Sequence, residues 1–305
     1  MRDRIQKIKS MNEYDFLLKS YISFSGGKDS TVLHHLMDIA LPDNQIPRVY
    51  FNTGIEYKAV ADYVKRLAAH DQRIVIVNSG VNIKQMLDDV GYPFKSKEHS
   101  MYLSIYQNSG KTKTVQKYLD REDSYKCPSI LRYQFTEDFK LKVSSKCCSK
   151  LKKEIAANWM KEHDKTITIT GMRAGEGGLR AIHTGCAVYA DESCKTLKKF
   201  HPLFPLEDWW IDEFIQQNNI ELCELYNPPY NFKRTGCVCC PYSINLQEQL
   251  DTLDAYLPAE RWRAEYIWNK VYTEYRRIGY RLRMPDLFDQ EYLENIKKQC
   301  AKNFT

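Results

Sequence analysis

One short stretch limits the folds open to this chain more than its composition does. Tyr21, Ile22 and Phe24 form an apolar, β-type run that stops at Gly26-Gly27, and a helical pattern with Val32, Leu33, Leu36, Met37 and Ala40 on one face starts at once. Strand, tight turn and helix N-terminus in that order leave unpaired backbone N–H groups at the positive end of a helix dipole. The two glycines let an anion approach the backbone, and Lys28 adds a full positive charge. The segment reads as a phosphate cradle, with Ser23, Ser25, Gly26, Gly27, Lys28, Asp29 and Ser30 as candidate ligand-binding residues.

The cradle is not a Walker A loop, which needs four residues between its first glycine and its Gly-Lys pair. A net charge of +6 favours anionic ligands such as nucleotides and permits nucleic acid without demanding it. With 43% apolar residues and mixed-sign charge, the 305-residue chain can bury one large core or two smaller ones. No apolar run approaches the roughly 20 residues of a membrane span, and Met1-Arg2-Asp3-Arg4 has no apolar signal core behind it, so a cytoplasmic protein is expected. In a reducing compartment its 10 cysteines point to metal or redox chemistry rather than to disulfides.

Strand and helix alternate along the chain. Ile5, Ile8, Met11, Phe16 and Leu17 suggest a helix before the first strand; Arg48–Asn52 and Arg73–Val77 read as the second and third strands, with a helix between them running to about Ala69. Residues 80–160 are Lys- and Tyr-rich and broken by Gly91, Pro93, Gly110 and Pro128, which suggests helices and loops inserted over the sheet edge, with Lys95, Lys97, Lys111 and Lys113 on a basic, solvated face. Alternation resumes with the strand Thr166–Thr170, then an extended run through Phe200-His201-Pro202-Leu203 and a helix from Ile211 to Asn218. From Pro258 to about Ile278, Trp262, Tyr266, Ile267, Val271, Tyr272 and Tyr275 mark a packing helix. This order argues a parallel α/β sheet with ligands outside the carboxyl ends of its strands.

The cysteines have their own spacing. Adjacent Cys147-Cys148 and the Cys237-Val238-Cys239-Cys240 run are separated by 88 residues, and Cys237 and Cys240 have the CxxC spacing that lets two thiolates of one turn reach one metal or cluster. Lys150, Lys152 and Lys153 follow the pair, and cationic neighbours lower thiol pKa values. Four thiolates suit zinc or an iron–sulfur cluster, and spacing alone does not choose between them.

Ser25-Gly26-Gly27-Lys28-Asp29-Ser30 resembles the PP-loop of the N-type ATP pyrophosphatases and of their relatives, the phosphoadenosine phosphosulfate reductase family. The Cys-Cys pair followed some way on by CxxC resembles the cluster-binding pattern of the iron–sulfur sulfonucleotide reductases and the DNA phosphorothioation enzymes; Leu151 replaces the arginine that follows the pair in that family, while Lys152 matches its lysine. Phe51-Asn52-Thr53-Gly54-Ile55-Glu56-Tyr57 resembles the family's Asp-Thr-Gly motif, with neutral Asn52 where aspartate is usual. Thr170-Gly171-Met172-Arg173-Ala174-Gly175-Glu176-Gly177-Gly178-Leu179-Arg180 resembles its glycine, arginine, acid and arginine run, and His201–Trp209 and Leu225-Tyr226-Asn227 follow the family order before Gly236-Cys237. The likeness spans about residues 20 to 245. One departure stands out: the reductases' catalytic cysteine lies in a C-terminal Cys-Gly-Leu-His type motif, and here Cys300 lacks the glycine and histidine that follow it.

The resemblance implies a doubly wound α/β domain of adenine-nucleotide α-hydrolase type over residues 1–245, strand order 3-2-1-4-5, an insert near 80–160, and a helical region at 246–305. It implies ATP or an adenylyl sulfate nucleotide bound by the cradle with Asn52, Thr53, Gly54, Glu56, Gly171 and Arg173, with Mg²⁺ held in part by Asp29. Lys28, Asp29, Arg173 and Arg180 would be the catalytic residues, the two arginines clamping phosphate or sulfate oxygens. Cys147, Cys148, Cys237 and Cys240 would hold a 4Fe–4S cluster, with Cys239 competing for one position and zinc as the alternative. The leading expectation is ATP pyrophosphatase-type activation coupled to sulfur transfer, with a nucleic-acid acceptor and a sulfur-donor or partner subunit compatible with the basic insert. Reduction of adenylyl sulfate or its 3′-phosphorylated form through Cys300, and a non-catalytic zinc-containing nucleotide- or nucleic-acid-binding module, are the other two readings.

Overall fold

The computed structural model describes residues 2–11, 14–176, 185–190, 196–284, 290–291, 293–295 and 298. The chain forms two compact units, Met1–Ser79 with Glu154–Thr235, and Gly80–Lys153 with Gly236–Thr305.

The first unit holds the sheet. Strands β1 (Ser20–Ser23), β2 (Arg48–Asn52), β3 (Ile74–Asn78), β4 (Ile167–Ile169), β5 (Ala187–Tyr189) and β6 (Leu197–Phe200) lie in the order β3-β2-β1-β4-β6-β5. All neighbours are parallel except β5 and β6. The order read from the sequence holds through β4. The fifth parallel position is then taken by β6, because the short antiparallel β5 precedes it in the chain and lies outside it.

Successive residues of a strand point to opposite faces, and in β1 both faces are buried. Ile22 packs in a core with Val32, Leu33 and Leu36 of α3 (Lys28–Ala40) and with Ile211 and Phe214 of α9 (Asp208–Gln217). Tyr21 packs on the other face with Val49, Phe51 and Trp159, the last from α8 (Glu154–Glu162). Helices on both faces of a mostly parallel sheet make this a doubly wound α/β unit. Three further helices complete it: α1 (Arg2–Lys9), α2 (Tyr14–Lys19) and α4 (Lys58–His70), the first two replacing the single helix expected before β1.

At the end of the sheet away from the cradle, a fully buried Arg48 donates to Asp38 at 2.6 Å, Asn44 at 2.7 Å and the Nδ1 of His34 at 3.3 Å. Arg73 reaches the same Asp38 at 2.8 Å and Asp71 at 2.8 Å. This network ties α3 to the starts of β2 and β3.

The second unit is helical: α5 (Ile83–Val90), α6 (Lys97–Ser109), α7 (Lys113–Leu119), α10 (Leu246–Tyr256) and α11 (Pro258–Arg277). A parallel bridge joins Tyr92 to Val143. Its core is aromatic, with the Phe94 and Tyr275 rings 4.6 Å apart. Fully buried His99 bonds Tyr118 at 2.9 Å and Gln134 at 2.8 Å. Among the described residues no helix is long and apolar enough to cross a membrane.

Three buried histidines make stability depend on pH. Burial first, and the Arg48 charge second, lower the His34 pKa to about 4; burial also lowers those of His99 and His201 to about 4. The unfolded chain takes up these protons near pH 6.5 and the folded chain does not, so unfolding binds protons between those values. Stability is therefore full above about pH 6.5 and falls as the pH drops toward 4, by up to about 3 kcal/mol per histidine. Urea midpoints at pH 7, 5.5 and 4.5 should decrease in that order; a constant midpoint would contradict the neutral, buried state of these rings.

Candidate functional site

In the first unit the cradle forms as expected between β1 and α3. Gly26 has a φ of +69°, and a Cβ there would lie 2.7 Å from a Val64 methyl and 3.0 Å from one of Val60, so only glycine lets the turn pack on α4. Ser30 closes the turn by donating its hydroxyl to the Gly27 carbonyl at 2.9 Å, while its oxygen accepts from the Ser25 N–H at 3.2 Å and lies 3.0 Å from the Ser25 hydroxyl. Gly27 is the N-cap of α3, and no side chain caps the helix through it. The Lys28 N–H is met by the phenol oxygen of Tyr226 at 3.0 Å, and the Lys28 ammonium by Asp212 at 2.9 Å.

The loop after β4 lies against the cradle. A Cβ on Gly171 would be 2.8 Å from the Asp29 carbonyl oxygen, so the two backbones meet only because residue 171 has no side chain. Two residues on, the buried Arg173 donates through Nε to Asp29 at 2.9 Å and through a terminal nitrogen to Asp208, at the start of α9, at 2.6 Å. Burial opposes its charge, but Asp208 and Asp29 outweigh burial and raise its pKa. The same bond lowers the Asp208 pKa. The loop after β2 is tied to the end of β3 and to itself: Asn52 donates to Asn78 at 2.8 Å and accepts from the Gly54 N–H at 3.2 Å. Glu56 is buried, with its carboxylate accepting from the Thr53 N–H at 3.1 Å and the Thr53 hydroxyl at 2.8 Å. Ser23 ends β1. The cradle, Gly171 and Arg173 are thus drawn together, whereas Asn52 and Thr53 bond to the end of β3 as well as within their own loop. Arg180 lies outside the described residues, as does Cys300.

All four proposed metal-binding cysteines fall in the second unit. The thiols of Cys147 and Cys148 are 4.0 Å apart. The hydrogen bond to Cys148, burial, and the nearby Cys240 and Cys237 sulfurs push the Cys147 pKa far up. The same bond lowers Cys148 to about 6, helped by Lys97, Lys152 and Lys153. Burial, then Cys237, raises Cys240. A five-residue π-helical turn, Ser149–Lys153, follows the pair.

The CxxC loop is shaped by α11 through its carbonyls. Trp268 Nε1 donates to the Val238 oxygen at 2.8 Å, the Tyr272 hydroxyl to the Cys239 oxygen, and the Tyr275 hydroxyl to the Pro241 oxygen at 2.9 Å. Arg281 donates to the same Pro241 oxygen at 2.6 Å.

Among the described residues no three His, Cys, Asp or Glu side chains are gathered as one metal ion requires. The chemistry of the set is compatible with a thiolate-bound metal group: the four cysteines lie outside any disulfide, and Cys147 senses Cys148, Cys240 and Cys237.

The sequence reading missed Tyr226, Thr235 and Asp212 as contributors to the cradle. Tyr226 was visible only as part of an ordered run, and nothing in the spacing marked the other two. Of the α11 donors, Tyr272 and Tyr275 are core residues as the helical pattern predicts, whereas Trp268 is not singled out by it and the hydrogen bonds to the loop are not visible in it.

Residues 19–243 match the phosphoadenosine phosphosulfate reductase domain family. An uncharacterized protein of Methanocaldococcus jannaschii is 24% identical over 92% of this chain, and this chain spans 55% of that relative's length. Among solved structures, the chain is similar to phosphoadenylyl-sulfate reductase from Candida auris in its phosphate complex (16% identity, 78% of this chain and 95% of that one, TM-score 0.41). It is also similar to the NH3-dependent NAD synthetase of Campylobacter jejuni (13%, 94% and 96%, TM-score 0.38). A third is the U34-tRNA thiolase NcsA of Methanococcus maripaludis with its [4Fe-4S] cluster (14%, 91% and 78%, TM-score 0.37).

The hydrogen bonds from α11 have a measurable weight. Tyr272→Phe removes the donor to the buried Cys239 carbonyl and should cost about 1–3 kcal/mol in urea unfolding. An unchanged midpoint would show that the carbonyl finds another donor.

Proposed function

This chain belongs to the phosphoadenosine phosphosulfate reductase domain family, and we propose that it is a PP-loop enzyme that activates an acceptor with ATP for sulfur transfer. The observation that carries this reading is the glycine-capped N-terminus of α3, with two cationic side chains, Lys28 and Arg173, at the same loop. An acceptor oxygen attacks the α-phosphorus, the bond to the oxygen bridging the α- and β-phosphates breaks, and pyrophosphate leaves with the electron pair. Sulfur from a donor then replaces the adenylylated oxygen and AMP departs.

The chain's own groups act mainly by electrostatics and positioning. Lys28 and the loop amides take the charge that grows on the leaving pyrophosphate. Arg173 is held at the loop by Asp29, Asp208 and the Leu206 carbonyl, and would reach phosphate oxygens by giving up one of these partners. Mg²⁺ arriving with the nucleotide would neutralise phosphate charge; it commonly takes only one or two protein carboxylates, and Asp29 is the candidate. Cys147, Cys148, Cys237 and Cys240 would hold a 4Fe–4S cluster, which would supply sulfur-handling chemistry when bound. A nucleic-acid acceptor fits the lysines of the insert, of which Lys97, Lys111 and Lys113 are exposed.

Two measurements test the reading. Protein purified without oxygen should carry iron and sulfide in equal amounts, and Cys148→Ser should lose most of both; about one zinc and no iron would overturn the cluster assignment. Incubated with ATP, Mg²⁺ and candidate acceptors, the protein should release pyrophosphate, and Lys28→Ala should slow release by about 10²–10³-fold, the typical effect of removing one such stabilising group. An unchanged rate in Lys28→Ala would refute the mechanism. Sulfite release from adenylyl sulfate with thioredoxin would instead place the chain among the reductases.

A further inference from the structure

The cradle is closed over by Tyr226 and Thr235, to which the sequence assigned no part in it. The Lys28 N–H is the first amide of α3 and is what an anion at that helix end would take. Here the phenol oxygen of Tyr226 accepts it at 3.0 Å, and the same oxygen is 2.9 Å from the Thr235 hydroxyl. A side chain starting at Gly27 would find three hydroxyl oxygens around it: Tyr226 at 3.2 Å, Ser25 at 3.3 Å and Thr235 at 3.4 Å. Three hydroxyls thus gather over a glycine at the N-cap of a 13-residue helix, each able to turn from acceptor to donor.

The charged groups are paired in the same manner. The Lys28 ammonium rests on Asp212, and Arg173 on Asp29 and Asp208. The Lys28 amide, the Lys28 ammonium and the Arg173 guanidinium are each already met by an internal oxygen. Phosphate binding at this loop is then an exchange of partners, and the phenol that leaves the Lys28 amide stays close enough to donate to the incoming anion. Burial raises the Tyr226 pKa, so its proton is retained at neutral pH and available for donation.

We infer that Tyr226, with Thr235 beside it, is a phosphate-contacting residue of this site, its hydroxyl donating to a phosphoryl oxygen seated over Gly27. The inference rests on the reading of the loop as a nucleotide site and adds two residues to it. It distinguishes the phosphate end of the ligand from the nucleoside end, since Tyr226 acts only on the former.

The test measures binding of ATP, inorganic pyrophosphate and adenosine, each with Mg²⁺, to the full chain and to Tyr226→Phe, Thr235→Val and Lys28→Ala. A hydrogen bond to a charged oxygen corresponds to about a tenfold or greater change in affinity. Tyr226→Phe should therefore weaken ATP and pyrophosphate by at least about tenfold and leave adenosine unchanged, with Thr235→Val acting in the same direction but less. Unchanged or tighter pyrophosphate binding in Tyr226→Phe would overturn the inference, as would an equal loss for adenosine, which would mean that the hydroxyl only shapes the fold. If Lys28→Ala weakens ATP binding while Tyr226→Phe does not, this inference fails and the nucleotide reading stands. If neither variant changes ATP binding, the nucleotide reading itself fails. The urea midpoint of Tyr226→Phe identifies a variant that has merely unfolded, in which case Thr235→Val alone decides: weaker pyrophosphate with intact adenosine binding supports the inference, and no change overturns it.

Discussion

The Asp29 carbonyl occupies the space where a side chain on residue 171 would begin, and the first unit's site follows from that contact. It brings the loop after β4 onto the loop after β1. Once the two backbones touch, Arg173 is within reach of Asp29, and its other nitrogen reaches the first turn of α9 at Asp208. Three elements from distant parts of the chain are thereby fixed around one helix N-terminus. A parallel sheet supplies the rest, because it places every such loop at the carboxyl ends of its strands.

The charges at this site come in balanced sets. Arg48 and Arg73 at the far end of the sheet are likewise shared among Asp38, Asp71 and Asn44. The two networks differ in access. Arg48 is fully buried and structural, where loss of a partner would leave a stranded charge. At the cradle Asp208 and Asp212 are well exposed, so the carboxylate side of each pair is open to water, although Arg173 itself is buried.

Much of the fold was legible because its signals are local. The strands at Tyr21, Arg48, Arg73 and Thr166 are apolar or β-branched runs between turn residues, and the helix at Pro258 repeats its aromatics at helical spacing. β5 was missed because a three-residue strand is too short to carry a period. The cradle itself was legible because its chemistry is contiguous. Tyr226, Thr235 and Asp212 were not read as parts of it because they reach it from about two hundred residues away, through packing that spacing does not encode. Glu56 adds a contact that the motif did not show: its carboxylate accepts from the Thr53 N–H and hydroxyl.

In the second unit the CxxC loop takes its shape from donors on α11 and from Arg281, all of which act on main-chain oxygens. The sulfur atoms are therefore not needed to build the turn that presents them. In small zinc domains the free energy of metal binding and that of folding are one quantity, and removing the metal unfolds the chain. In this unit the turn around the cysteines is held by donors of α11 and by Arg281, so any group the sulfurs bound, on the reading proposed above, would meet a loop whose main chain is already tied down.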